Sequence, residues 1–377
     1  MKPETKEYWK PILRYLIYLV IVLGLTVLAF ILTIGNKSEL ILDTIKHANG
    51  LYILIVLAVV VVCFLLRSLA VFFLTRTYEK KYPFHRAIAI DQVGTLYRMI
   101  TPAGLGGHVS ELVFYRKQKI KISDALSVLA MYSIVYQVVL IVFNTMTLIV
   151  KAPVIGEIGN ISISFSLNGP VIIPLWVLVV IGFVINLSVI GFIFLLSYWN
   201  PFYRFIYGPI GRLLNKIRIV KDLDQYHQKM DESIINFRNN LKQLLRNIPT
   251  LLLTALCFVL YIAVAYSVPY ICGLALNNTS DYANVFDSIF LSNLHQMITC
   301  IIPIPGSSIV SELFFLKLFY PSTGPSFYIS EEIARSALLL WRSLMFIFPL
   351  FISCMYSLIY RPRKRDIYAS SEENQNM

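Results

Sequence analysis

Residues Pro102 to Tyr115 read PAGLGGHVSELVFY, and residues Pro303 to Leu316 read PIPGSSIVSELFFL. Laid over each other at a constant offset of 201, they agree at Pro102/Pro303, Val109/Val310, Ser110/Ser311, Glu111/Glu312, Leu112/Leu313 and Phe114/Phe315. About one identity is expected by chance in so short a window, so the pair reads as an internal repeat. Each copy sets Pro and Gly or Ser just ahead of a carboxylate in an apolar neighbourhood. In lipid, backbone that leaves the helix is tolerated only where protein or a water-filled cavity satisfies its polar groups. Two interrupted apolar segments in corresponding halves therefore point to a binding site of the kind found in transporters. The plainer alternative is two loops that open ordinary helices, with Ser and Glu as capping residues. That alternative leaves the matched apolar flanks unexplained.

Composition places these copies in a bilayer. The 377 residues are 57% hydrophobic with a mean hydropathy of +0.68, and 14% are charged. A soluble domain carries about 25% charged residues. The net charge of +12 fits basic cytoplasmic loops against anionic lipid, and no arginine-rich helix or stacking platform argues for nucleic acid. Cys63, Cys257, Cys272, Cys300 and Cys354 are scattered singly through apolar runs, which implies neither a metal nor a redox pair.

Working outward, six stretches are long enough to span: Tyr15–Gly35, Leu51–Thr75, Ala125–Val150, Val171–Tyr198, Ile248–Leu276 and Ile333–Tyr360. Asn36–Gly50 reads as a polar loop. The first copy sits within residues 87–118 and the second within 282–318, and each is split by its Pro/Gly break into pieces too short to cross alone. Re-entrant hairpins follow. Arg67 lies inside the second span, either snorkelling to its end or facing the interior. Tyr132, Tyr136 and Gln137 fall on a potentially internal face of the third. Residues 200–247 carry apolar side chains every three or four positions from Leu223 to Ile248, an amphipathic helix lying on headgroups or docked on the spans. A polar tail, 361–377, ends an integral domain of 1–360.

The expected fold is thus an all-α polytopic membrane protein of six spans and two hairpins. Basic residues cluster at Met1–Arg14, Arg76–Arg86, the 200s and the tail, which puts both termini in the cytoplasm of a cell-membrane protein. Three crossings separate the copies, so the second hairpin enters from the opposite side: the repeat is inverted. Glu111 and Glu312 should then meet in one polar cavity, with Arg98, Arg335 and Arg342 as available partners. Arginine suits a lipid phosphate because its planar fork donates two hydrogen bonds at once. The other reading makes these groups internal salt bridges that fix the fold. His108 and His295 lie in the two windows but do not align, which argues against a metal.

The TPAGLGG pattern followed by a Glu and a basic run, then PIPGSS with a second Glu, resembles the lysylphosphatidylglycerol synthase transmembrane-region family over roughly Pro11 to Tyr360. The family includes the flippase half of the multiple peptide resistance factor. The resemblance implies movement of aminoacylated phosphatidylglycerol, or another anionic or polyprenyl-linked lipid, between leaflets, without a cofactor. It assigns the hairpin breaks to Pro102, Gly106, Gly107, Pro303, Pro305 and Gly306. Ser307 and Ser308 stand where the first copy has Gly106 and Gly107, a departure from strict symmetry. Two-part relatives carry a soluble transferase domain after the membrane region, whereas 17 residues follow Tyr360 here. The expectation is a translocase that partners with membrane lipids and, where lipid is modified, with a separate enzyme. The alternative is a phosphatidylglycerol lysyltransferase or its membrane subunit.

Overall fold

A computed structural model describes residues 3–35, 37–163, 171–199 and 223–360, with a few positions between 201 and 209. The expected polar tail at 361–377 and most of the 200–222 stretch lie outside them. Helix α1 (Pro3–Ile34) is followed by α2 (Ser38–Lys46), α3 (Gly50–Thr75), α4 (Phe84–Ile100), α5 (Gly106–Lys117) and α6 (Ile122–Ile158). A short antiparallel pair, β1 (Asn160–Ile163) and β2 (Val171–Pro174), leads to α7 (Leu175–Tyr198). Then come α8 (Leu223–Arg246), α9 (Ile248–Tyr266), α10 (Val268–Ala275), α11 (Val285–Thr299), α12 (Val310–Phe319), α13 (Glu331–Arg342) and α14 (Phe348–Ile359).

Six of these segments are long and apolar enough to cross a membrane: Ile17–Ile34, Gly50–Thr75, Ile122–Ile158, Leu175–Leu195, Ile248–Ala275 and Glu331–Ile359. The chain is an all-α polytopic membrane protein. Large apolar side chains such as Val20, Leu54, Ile149, Leu252 and Phe351 point outward, where hydrocarbon can receive them. The ends of the helices follow local chemistry. Asn49, Asn247, Asn284 and Ser330 each cap the helix that follows by accepting from a backbone N–H. Pro269 sits in the first turn of α10, just past the break at Ser267, where a missing N–H costs nothing.

Two boundaries differ from expectation. Residues 38–46, expected as loop, form the amphipathic α2, whose Ile41 is buried and which packs on α13. The fourth span begins at Leu175 rather than Val171, because Val171, Ile172 and Ile173 are β-branched and Pro174 blocks helix before it. The described part of the amphipathic segment docks on the protein itself. Leu241 and Leu244 are buried, Tyr78 Oη donates to the Asn240 carbonyl at 2.7 Å, and Asn240 Nδ2 donates to Asp124 at 2.9 Å.

Helix α3 fixes the two ends of the bundle. At its Gly50 end, the Asn49 N–H donates to the Ala275 carbonyl, and Asn278 ties to the Phe327 carbonyl. At its Thr75 end, Thr75 bonds Tyr115, and Tyr82 bonds Gln118. The α4–α5 hairpin therefore opens at the Thr75 end and the α11–α12 hairpin at the Gly50 end. Helices of 17, 12, 15 and 10 residues build them, and their tips meet in the middle. Cysteines placed at Asn160 and Ser280 should react with an impermeant thiol reagent from one face of the membrane, and a cysteine at Gln225 from the other. Labelling of all three from one face would overturn this arrangement.

Polar side chains tie the hairpins to the spans. Asn293 of α11 donates to Asn144 and Thr147 of α6 at 3.0 and 2.9 Å, and Ser353 of α14 donates to Gln92 of α4 at 2.9 Å. Small residues allow close approach elsewhere. A Cβ on Gly182 of α7 would lie 1.8 Å from the Met297 carbonyl oxygen of α11. At the Gly50 end, Lys37 bridges Glu331 and Glu332 at 2.7 and 2.8 Å. Hydrogen bonds to those carboxylates hold its ammonium pKa above the ordinary lysine value.

Candidate functional site

The two tips reverse by different means. In the first, Pro102 opens a single 3-10 turn, Gly104 takes φ +68°, and α5 starts at Gly106. In the second, Gly306 (φ +62°), Ser307 (φ +49°) and Ile309 (φ +72°) all lie in the left-handed region, and α12 starts only at Val310. Val310 corresponds to Val109 in the first copy, and α11 ends at Thr299, so the second tip spans 300–309 against 101–105 in the first and is five residues longer. The serine-for-glycine departure thus has a structural counterpart. A β-branched residue at positive φ is strained, and Ile309 holds that conformation beside a buried ion pair.

Between the tips lies a cavity of about 500 Å³. Thr101 and Gly104 of the first tip and Pro303, Gly306 and Ser307 of the second form its floor and roof. Arg67 of α3, Arg98 of α4, Tyr132 and Tyr136 of α6, and Tyr261 of α9 project into its walls. Apolar groups, including Val60, Phe64, Ile302 and Phe346, complete the lining. A pocket that is mostly apolar with a few convergent polar groups suits an amphiphile.

Both arginines are backed by carboxylates outside the lining. Arg67 donates from Nε to Asp91 Oδ1 at 3.0 Å, and from Nη2 to Asp91 Oδ2 and Thr95 Oγ1 at 3.2 and 2.9 Å. Its guanidinium lies 5.4 and 5.5 Å from the Phe64 and Tyr261 ring centres. Arg98 donates from Nη2 to Glu111 Oε1 at 2.6 Å, while His108 Nδ1 lies 2.8 Å from Glu111 Oε2. Asp91 and Glu111 side chains are 1% and 4% exposed, against 17% and 34% for Arg67 and Arg98. An anion in the cavity therefore meets the guanidinium faces before the carboxylates. Among the described residues Arg98 makes no side-chain bond except that to Glu111, which leaves donors for a second acceptor.

Glycines make this packing possible. A Cβ on Gly94 would fall 1.9 Å from Glu111 Oε1, and one on Gly104 2.9 Å from Arg98 Cγ. Gly106 and Gly107 press on Thr101 and Arg98 in the same way. Gly107 therefore packs against Arg98 of the ion pair and Gly106 against Thr101. Both lie in the first turn of α5, so the expectation that they break the chain is corrected, the break falling at residues 101–105.

The second carboxylate is placed differently. Arg342 Nε lies 2.7 Å from Glu312 Oε1, an ion pair by distance but off the axis of a hydrogen bond. Both Glu312 oxygens and that Nε consequently lack a hydrogen-bond partner among the described residues. Arg342 Nη2 instead donates to the Gly306 carbonyl at 2.5 Å and to Ser308 at 3.0 Å, with its guanidinium 4.0 Å from the Phe346 ring centre. Ser308 also lies 3.3 Å from Thr26 of α1.

The expectation that Glu111 and Glu312 share one cavity is corrected. Neither lines the central one, and Glu312 borders a separate pocket of about 380 Å³ with Thr33, Lys317 and Arg335. Arg335 bonds neither repeat carboxylate. It pairs with Glu331 and donates to the Thr33 carbonyl, fastening α1 to α13. Arg98 and Arg342 pair with Glu111 and Glu312 respectively, so each copy has its own arginine. His108 is committed to Glu111, and His295 to the Ser311 carbonyl.

Arg67, Asp91 and Thr95 were absent from the expected site. Their signal was present: Arg67 is the lone charge in an apolar run, and Asp91, Thr95 and Arg98 recur at i, i+4 and i+7 on one face of α4.

Fold and site together define a multi-pass α-helical membrane protein with a cationic, largely apolar cavity between two short hairpins. A family model described as the lysylphosphatidylglycerol synthase TM region matches residues 15–353, and the chain belongs to that family. No curated protein matches it.

Proposed function

We propose that the chain is a lipid translocase that carries a phosphate-bearing lipid between leaflets, an aminoacylated phosphatidylglycerol or another lipid, anionic or polyprenyl-linked, being the chemistry that fits. The observation that carries this reading is the cavity between the hairpin tips, with Arg67 and Arg98 facing inward and their carboxylates set behind them. A lipid phosphate can accept from the open donors of Arg98, while the apolar lining receives the glycerol backbone. Glu111 and the phosphate then compete for one guanidinium, so the pair can release its anion without leaving Arg98 unpartnered. The opposed approach of the two hairpins supports an inverted repeat with access from either leaflet, and the basic loops support cytoplasmic termini.

The test is translocation of a labelled anionic phospholipid in proteoliposomes. Arg98→Lys keeps the charge but loses the planar fork, and the rate should fall by about tenfold, the worth of one charged hydrogen bond. A wild-type rate in a well-folded Arg98→Lys protein would remove the phosphate from this site. The family description, a synthase region, favours a second reading in lipid aminoacylation. Formation of lysyl-phosphatidylglycerol by the purified chain from aminoacyl-tRNA and phosphatidylglycerol would establish it.

A further inference from the structure

A second depression, of about 430 Å³, runs along the outer face of the first hairpin. Val93 and Tyr97 of α4 form one wall, and Val109 and Val113 of α5 form the other. Leu105, Val109 and Val113 are 73%, 64% and 48% exposed, so the described residues leave this face uncovered. Its two ends differ. At the outer end Lys117 is exposed, with its ammonium 4.8 Å from the Phe114 ring centre. At the inner end lies Thr101, which also lines the central cavity. Helix α5, at 12 residues, is about 18 Å long, close to the roughly 15 Å depth of one leaflet's hydrocarbon.

We infer that this groove binds one acyl chain of an anionic phospholipid drawn from the leaflet at the Thr75 end, with Lys117 holding its phosphate. Three observations converge on that occupant. The walls are apolar, the length matches one leaflet, and Lys117, the one cation among the described lining residues, sits where the headgroup layer would be. Lysine suits a phosphate there because its flexible stem lies along apolar surface while the ammonium reaches the headgroup. Thr101 joins the groove to the cavity, so a headgroup leaving Lys117 for Arg98 moves along the hairpin while its tail stays in hydrocarbon. The role as an access route rests on the translocase reading; occupancy of the groove does not.

The experiment places a photoreactive benzoylphenylalanine at Val113, or at the equally lipid-facing Val142 of α6 (53% exposed), and identifies lipid adducts by mass. The full chain is reconstituted in mixed phosphatidylglycerol and phosphatidylcholine vesicles. Phosphatidylglycerol should be enriched at Val113 over Val142 by about fivefold, the effect of one lysine on an anionic headgroup. The enrichment should vanish in Lys117→Gln and persist in Lys117→Arg. Equal adduct compositions at the two positions, or enrichment that survives Lys117→Gln, would overturn the inference. Enriched adducts in vesicles that show no lipid translocation would instead remove the translocase reading and leave the groove in place.

Discussion

Gly94→Ala is expected to cost most of the lipid movement and a measurable part of the stability, although alanine is the better helix former. On propensity alone the change in mid-α4 should stabilise by about 0.5–1 kcal/mol. The new methyl, however, would sit 1.9 Å from Glu111 Oε1 and 2.6 Å from its Cδ. A flexible side chain could swing away, but Glu111 is buried between Arg98 and His108 and would surrender both. Overpacking and a weakened buried ion pair should together cost roughly 1–3 kcal/mol net. Melting in detergent should fall by several degrees, and translocation by tenfold or more. Adding Glu111→Asp, one methylene shorter, should recover part of both. A Gly94→Ala protein with unchanged melting and transport would show that the close approach of α4 and α5 is unimportant.

The other large effect is asymmetric. Arg342→Gln should destabilise by about 3–5 kcal/mol, because it leaves Glu312 charged, buried and alone. It also removes the bonds to Gly306 and Ser308 that hold the strained second tip, and the contact with the Phe346 ring. Glu312→Gln should cost far less, on the order of 1 kcal/mol, since Arg342 keeps those three partners. Both side chains are under 7% exposed, so solvent cannot compensate either loss. Chemical or thermal unfolding of the two variants in one detergent gives the order directly. Equal losses would mean that the ion pair, rather than the tip, is what Arg342 supports. The first copy should behave differently: Glu111 retains His108 when Arg98 is replaced.

The membrane class, the six spans and the two hairpins were legible in the chain because each rests on local pattern. A run of apolar residues must be about 20 long to cross hydrocarbon, and Pro with Gly must end a helix wherever it occurs. The pairing of a carboxylate with a break in each copy was likewise visible as an identity at a fixed offset. Boundaries went astray where short-range competition decided them, as at Val171–Pro174, where β-branching and proline favour strand, and at Ser38–Lys46, whose helix is stabilised by packing on α13.

The sequence by itself determined which residues could be buried charges: Arg67, Asp91, Arg98, Glu111, Glu312, Arg335 and Arg342 are all interruptions of apolar segments. Only the tertiary structure decided how they pair. Arg98 reaches Glu111 across a hairpin because Gly94 leaves room for the carboxylate, and Arg67 reaches Asp91 from another helix 24 residues away. Arg335, equally charged and nearer in the chain to Glu312 than Arg342 is, turns to α1 instead. The likeness of the two copies suggested one shared cavity for their carboxylates. The fold gives the cavity to the arginines and sets Glu111 behind its wall, with Glu312 beside a different pocket. Periodicity records which face a side chain takes on its own helix. Which neighbour faces it depends on how closely two backbones approach, and here single glycines set that distance.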